Sequence, residues 1–116
     1  LSLSQLVKEA QATGADVYML AEIAPLRSGF GKGPHGVNWP EKKANQWAGY
    51  IVEQLENAVY LSRDHLKVPL INAYAATRID GRFGAKKYVD PNDGIHPSVA
   101  GHQLMADMIA SKIKLH

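Results

Sequence analysis

One short stretch carries residues whose types and spacing could do chemistry: Val89-Asp90-Pro91-Asn92-Asp93-Gly94-Ile95-His96-Pro97-Ser98, followed by Val99-Ala100-Gly101-His102. Two residues separate Asp93 from His96. In a turn, that spacing lets the carboxylate fold back on the imidazole and accept its Nδ1 proton, which leaves Nε2 free to take a proton from a nucleophile. Gly94 supplies the backbone freedom for the turn. Pro97 disfavours a helical His96 and so predicts that the ring sits on extended chain just ahead of a helix. On spacing alone, a hydrogen bond that merely staples a turn is the more common use of such a pair. Gly94, Pro97, Gly101 and the helix that follows tip the reading towards a general base, His96, oriented by Asp93. Asp90 is an alternative acid, but it lies six residues from His96 and precedes Pro91, which suits a turn former.

The elements that must position this pair can be read from periodicity. Leu3, Leu6, Val7 and Ala10 fall at helical spacing, with Ser2 or Ser4 as a cap and Gly14 as a stop, so residues 3–13 are expected to be a helix. Ala15 to Ala24 is an apolar run ending at Pro25, as in a strand buried on both faces of a parallel sheet. A loop with Gly29, Gly31, Gly33, Pro34, Gly36 and Pro40 follows, longer than a plain connection requires. Trp47, Ile51, Leu55, Ala58, Val59 and Leu66 share one face of a second helix over 41–66, and Trp47, Tyr50, Met105 and Met108 are expected in the core. Val68–Tyr74 reads as a short strand. Two strands joined through a helix imply a right-handed crossover and a parallel pair. After a turn-rich stretch over 75–95, Ser98 can cap a last helix bearing Gly101, Leu104, Met105, Met108 and Ile109.

Composition excludes several classes of function. The chain has 116 residues, 46% apolar and 21% charged, and a net charge of +2. That is the balance of an ordinary globular protein. The basic residues are scattered, so no stripe suited to tracking nucleic-acid phosphates forms. Zero cysteines exclude disulfides, thiolate metal sites and a cysteine nucleophile. The apolar runs are too short to span a membrane, and no signal peptide stands at the start; the compartment is unmarked. Two parallel strands leave sheet edges that a free-standing domain would have to cover. Together with a first residue, Leu1, that is not methionine, this predicts a chain cut from a longer one.

The block D-G-I-H-P-S-V-A-G-H closely resembles the closing block of the SGNH, or GDSL-type, hydrolase superfamily, which reads D-x-x-H-P followed by a glycine and often a histidine. The order helix, strand ending in proline, variable loop, long helix, V-P-L-I-N-A-Y strand and closing block is similar to the family's second half. The resemblance implies that Asp93 and His96 are the acid and base of a Ser-Asp-His triad acting on ester bonds, with no cofactor. It further implies a three-layer α/β/α fold with a flavodoxin-like parallel sheet, of which residues 1–116 would be the C-terminal part. The family's Gly-Asp-Ser block and its oxyanion glycine and asparagine would lie upstream. Ser2, Ser4, Ser28, Ser62, Ser98 and Ser111 all lack a Gly-Asp-Ser or Gly-x-Ser-x-Gly context. The expected partners are therefore an ester substrate and a further polypeptide segment carrying the serine, without which this chain should turn over little. The long loop inclines the substrate towards an acetylated sugar.

Other motifs have plainer readings. Phe30 and Trp39 could wall a substrate site, since loops after strand ends line the crevice of α/β sheets, or could simply pin the loop. Gly31-Lys32-Gly33-Pro34-His35-Gly36 fits G-x-G-x-x-G, but no helix opens at its third glycine and Glu56 falls inside a helix, so a flexible loop is expected rather than a dinucleotide site. His102 lacks a third strong ligand at motif spacing, so no metal is expected. His35, His65 and His116 are read as loop, helix-end and tail residues, and Lys86-Lys87 as a solvated turn.

Overall fold

The computed structural model describes residues 2–113, so Leu1 and His116 lie outside the described residues. Ser2 opens helix α1 (Leu3–Ala12) with a capping box: its hydroxyl accepts from the Gln5 amide while Gln5 Oε1 accepts from the Ser2 amide. These bonds satisfy two of the amides a helix start leaves orphaned. Strand β1 (Met19–Ala21), helix α2 (Glu41–Tyr60), strand β2 (Leu70–Asn72), a short helix α3 (Ala73–Thr77) and helix α4 (Val99–Lys112) follow. β1 and β2 pair in parallel, with Leu20 opposite Ile71. The parallel crossover expected from the helix between the two strands is present.

The strands are shorter than their apolar runs. β1 ladders only over the three residues that β2 offers, although Ile23 and Ala24 beyond it remain buried. The expectation that β1 is buried on both faces fails at Leu20, which is 40% exposed between buried Met19 and Ala21. Paired residues of neighbouring strands point to the same face. α4 packs against β2 and Ile71 is buried, whereas its partner Leu20 on β1 is not. The expected strand over Val68–Tyr74 stops at Asn72, whose side chain accepts from the Ala75 amide and caps α3. An asparagine before Ala-Tyr-Ala-Ala is a helix start, and here it outweighs the apolar run.

Helix α2 ends earlier than periodicity suggests. Leu61–His65 form a π turn, with the Leu66 amide bonded to the Leu61 carbonyl, and the chain reverses at Lys67 with φ +52°. The residues α2 buries most deeply are Ala44, Ala48 and Val52, a small-residue stripe at four-residue steps that lets the helix approach the sheet closely. Ile51, Leu55 and Val59 flank it. Trp47 and Tyr50, expected in the core, are each 45% exposed. Trp47 instead packs against Trp39 and Tyr50 outside the stripe, because rings do not fit where Ala44 and Ala48 set the spacing. Met105 is buried and Met108 packs on the same cluster, as their spacing predicted. Among the described residues no helix is long and apolar enough to cross a membrane.

Thr77 ties the two strand ends together. Its buried hydroxyl donates to the Ala73 carbonyl and accepts from the Ala24 amide, at 2.7 and 2.9 Å. Thr77→Val keeps the shape but strands a buried N–H, so it is expected to lower the unfolding free energy by about 1–3 kcal/mol. Urea denaturation of the variant checks this, and a change below about 0.5 kcal/mol, the range of neutral surface substitutions, would contradict it.

Candidate active site

The loop over residues 90–96 is closed at its base by two backbone contacts. Val89 and Pro97 form an antiparallel bridge, and the Asp90 amide donates to the His96 carbonyl. Inside this ring the Asp90 carboxylate accepts from the Asn92 amide, which makes it the turn former its place before Pro91 suggested. Gly94, at φ +69°, then reverses the chain. The reversal lets Asp93 Oδ1 accept from the amides of Ile95 and His96, at 2.9 and 3.0 Å. Asp93 Oδ2 is left to hydrogen-bond His96 Nδ1. The carboxylate is thus held by backbone on one oxygen and holds the ring with the other. Ser98 caps α4 by accepting from the Gly101 amide, so the histidine stands two residues ahead of a fixed helix start.

The electrostatics follow from these bonds. The Ile95 amide and the His96 ring hold the Asp93 carboxyl below its ordinary range. The hydrogen bond and charge of Asp93 raise the His96 imidazole above 6.5, with smaller contributions from Asp90 and Glu22. The histidine side chain is 74% exposed and that of Asp93 20%. One ring nitrogen is therefore engaged while the ring as a whole stays open to an approaching group. Titration of the His96 ring by NMR is expected to give a value above 6.5 that falls towards 6.5 in Asp93→Asn; an unshifted native ring would contradict the geometry.

Beside the ring lies a cavity of about 330 Å³ lined by Glu22, Ile23, Pro25, Phe30, Ile51, Leu55, Ile95, His96 and Pro97. Of the residues singled out from sequence, the structure brings Phe30 to the histidine and leaves Trp39 out. Trp39 sits ahead of α2, with Trp47 at 5.7 Å and the Lys43 ammonium over its ring. Glu22, Ile23, Ile51, Leu55 and Ile95 were not read as site residues. Glu22 and Ile23 could have been found from the rule that ligands gather at the carboxyl ends of parallel strands. Ile51 and Leu55 carried no such signal, since a lining residue and a core residue look alike on an amphipathic helix.

The glycine loop supports the histidine loop from behind. The Gly31 amide donates to the Gly94 carbonyl and the His35 amide to the Asn92 carbonyl. Asn38 holds the loop's shape, accepting from the Gly33 amide and donating to the Gly33 and Gly36 carbonyls. A Cβ on Gly33 would run into the backbone of Pro91 and Asn92. These glycines thus permit backbone-to-backbone contact between two loops. The His102 side chain, one turn into α4, is exposed.

Comparison with known proteins bears on the family and the fold. The profile of the GDSL-like lipase/acylhydrolase family matches residues 2–109. A solved structure from Bacteroides fragilis, described as a "putative acylhydrolase", superposes with a TM-score of 0.58 at 21% identity, covering 92% of this chain and 46% of that one. The chain thus spans about half the length of that structure, and the likeness is one of fold. No curated protein matches the chain. With the family profile extending over almost all of its length, the chain belongs to the GDSL-like lipase/acylhydrolase family.

Proposed function

We propose that this chain supplies the base and its orienting acid to a carboxylic ester hydrolase whose nucleophilic serine lies in another polypeptide segment. The observation that carries this reading is the Asp93–His96 hydrogen bond on an exposed ring beside an apolar cavity. In the proposed cycle His96 Nε2 takes the serine proton as the serine oxygen attacks the ester carbonyl, and then delivers it to the departing alcohol. Asp93 holds the imidazolium that forms between the two steps. Water repeats the sequence, with His96 again as base, and releases the acid. The oxyanion donors would come with the serine, so the 116-residue chain alone is expected to be inactive.

The same proposal makes the chain the C-terminal part of one three-layer α/β/α domain with a flavodoxin-like parallel sheet. Each strand of the two-stranded sheet keeps one unladdered edge where further strands could pair, and the exposure of Leu20 leaves a sheet face for a further layer to cover. The expectation of an acetylated sugar draws no support from the cavity lining, which has no amide or hydroxyl side chain. The lining fits a short acyl group, an acetyl included, and does not specify the alcohol part.

The experiment is labelling of the polypeptide encoded with its upstream residues by a serine-reactive fluorophosphonate. Label that disappears in His96→Ala supports the hydrolase. No label in the native protein supports the rival reading, a binding module that keeps the fold without the reaction.

A further inference from the structure

The cavity beside His96 is apolar on nearly every side, yet one further ionisable group stands in it. Ile23 and Pro25 follow β1, Ile51 and Leu55 come from α2, Phe30 comes from the long loop, and Ile95 and Pro97 flank the histidine. Glu22 is the exception. It is exposed, and among the described residues it forms no salt bridge. Among the described residues no lysine or arginine lines the cavity. Arg27, the nearest in sequence, is bound to Asp80 and lies over the Phe83 ring.

We propose that this cavity takes a short aliphatic group bearing a positive charge, and that Glu22 is the specificity-determining residue. The substrate class so named, esters with a cationic acyl part, rests on the hydrolase reading; the charge preference of the cavity does not. The volume of about 330 Å³ is at the lower end of ligand sites, suited to a few methylenes rather than a long lipid chain. Apolar walls remove methylenes from water without regard to charge. Charge discrimination therefore falls to the ionisable groups lining the space, Glu22 and His96, with Asp93 and Asp90 acting on the ring from outside it. Asp93 is occupied by the ring and two backbone amides, and Asp90 by the Asn92 amide. Glu22 is the carboxylate that lines the cavity, and among the described residues it forms no salt bridge. Low-dielectric walls strengthen its field within the cavity, which attracts a cation and repels an anion.

The test is an equilibrium titration of the polypeptide encoded with its upstream residues, followed through the amide signals of Ile23, Ile95 and His96, at a pH above the His96 transition. The probes are n-butylammonium, 1-butanol and n-butyrate, which share one alkyl chain and differ in charge. An alkylammonium, like a lysine, stays protonated there. Butylammonium is expected to bind roughly fivefold more tightly than butanol, the scale of one solvent-accessible ion pair, with butyrate weakest. Glu22→Gln should bring butylammonium and butanol together, and Glu22→Lys should reverse the order. Butyrate binding as well as butylammonium, an order unchanged in Glu22→Gln, or no saturable binding by any probe would overturn the proposal. Because turnover is not measured, a failed fluorophosphonate experiment leaves this result legible by itself.

Discussion

Asp93→Asn is expected to lower kcat/KM of the complete hydrolase by roughly 10³–10⁴-fold, the scale seen when an orienting aspartate of a serine triad becomes an amide. The reason is the tautomer. Asp93 Oδ2 accepts from Nδ1 and so keeps the Nε2 lone pair open, whereas an amide N–H at that place favours the ring with its proton on Nε2. The variant also separates orientation from protonation. Asp93 raises the His96 pKa, so removing its charge leaves more of the ring neutral at pH 7. If neutral imidazole were all that mattered, activity would rise. We expect the opposite: the pH–rate limb, along which activity climbs as the ring loses its proton, moves to lower pH while the plateau falls. A plateau within tenfold of the native one would sink the assignment of Asp93 as the orienting acid.

The second large effect is structural. Gly94→Ala is expected to destabilise the chain by about 2–5 kcal/mol, combining left-handed backbone strain with overpacking. Its φ of +69° is costly for any side chain, and a Cβ there would lie 2.5 Å from the Gly29 carbonyl oxygen and 2.8 Å from Lys32 backbone atoms. Backbone cannot swing aside as a flexible side chain does. Gly81 is the control: it too has positive φ, +89°, but a Cβ would meet nothing within 4 Å. Gly81→Ala should therefore show the strain alone, about 1–2 kcal/mol. Urea unfolding of the two variants measures the difference, and equal losses would show that the contact between the glycine loop and the histidine loop adds nothing. In Gly94→Ala the His96 pKa should also fall towards 6.5, because the turn that aims Asp93 at the ring is displaced.

The candidate site was legible where its geometry is local. Asp93, Gly94 and His96 lie within one turn, so short-range backbone preferences suffice to bring carboxylate and ring together. Ser98 likewise caps α4 through a residue three positions away. Features that depend on distant partners were read less well. Phe30 and Trp39 belong to the same loop and looked equivalent, yet only Phe30 reaches the cavity. Trp47 had helical spacing, but Ala44 and Ala48 decide how near α2 comes to the sheet and leave the indole outside. Glu22 fell inside the strand expected over Ala15–Ala24, whereas in the structure it follows β1 and lines the cavity with His96.

The sequence by itself determined the Asp93–His96 turn, the parallel sense of the two strands and the start of the last helix, since each follows from dihedral preference, hydrogen-bond reach or chain handedness over a few residues. Only the tertiary structure decided which apolar side chains line a cavity rather than fill the core, that the glycine loop braces the histidine loop, and that Glu22 shares a cavity with His96. Those outcomes depend on how closely elements far apart in the chain can approach. Close approach is set by the volumes and backbone contacts of both partners at once, which no single segment encodes.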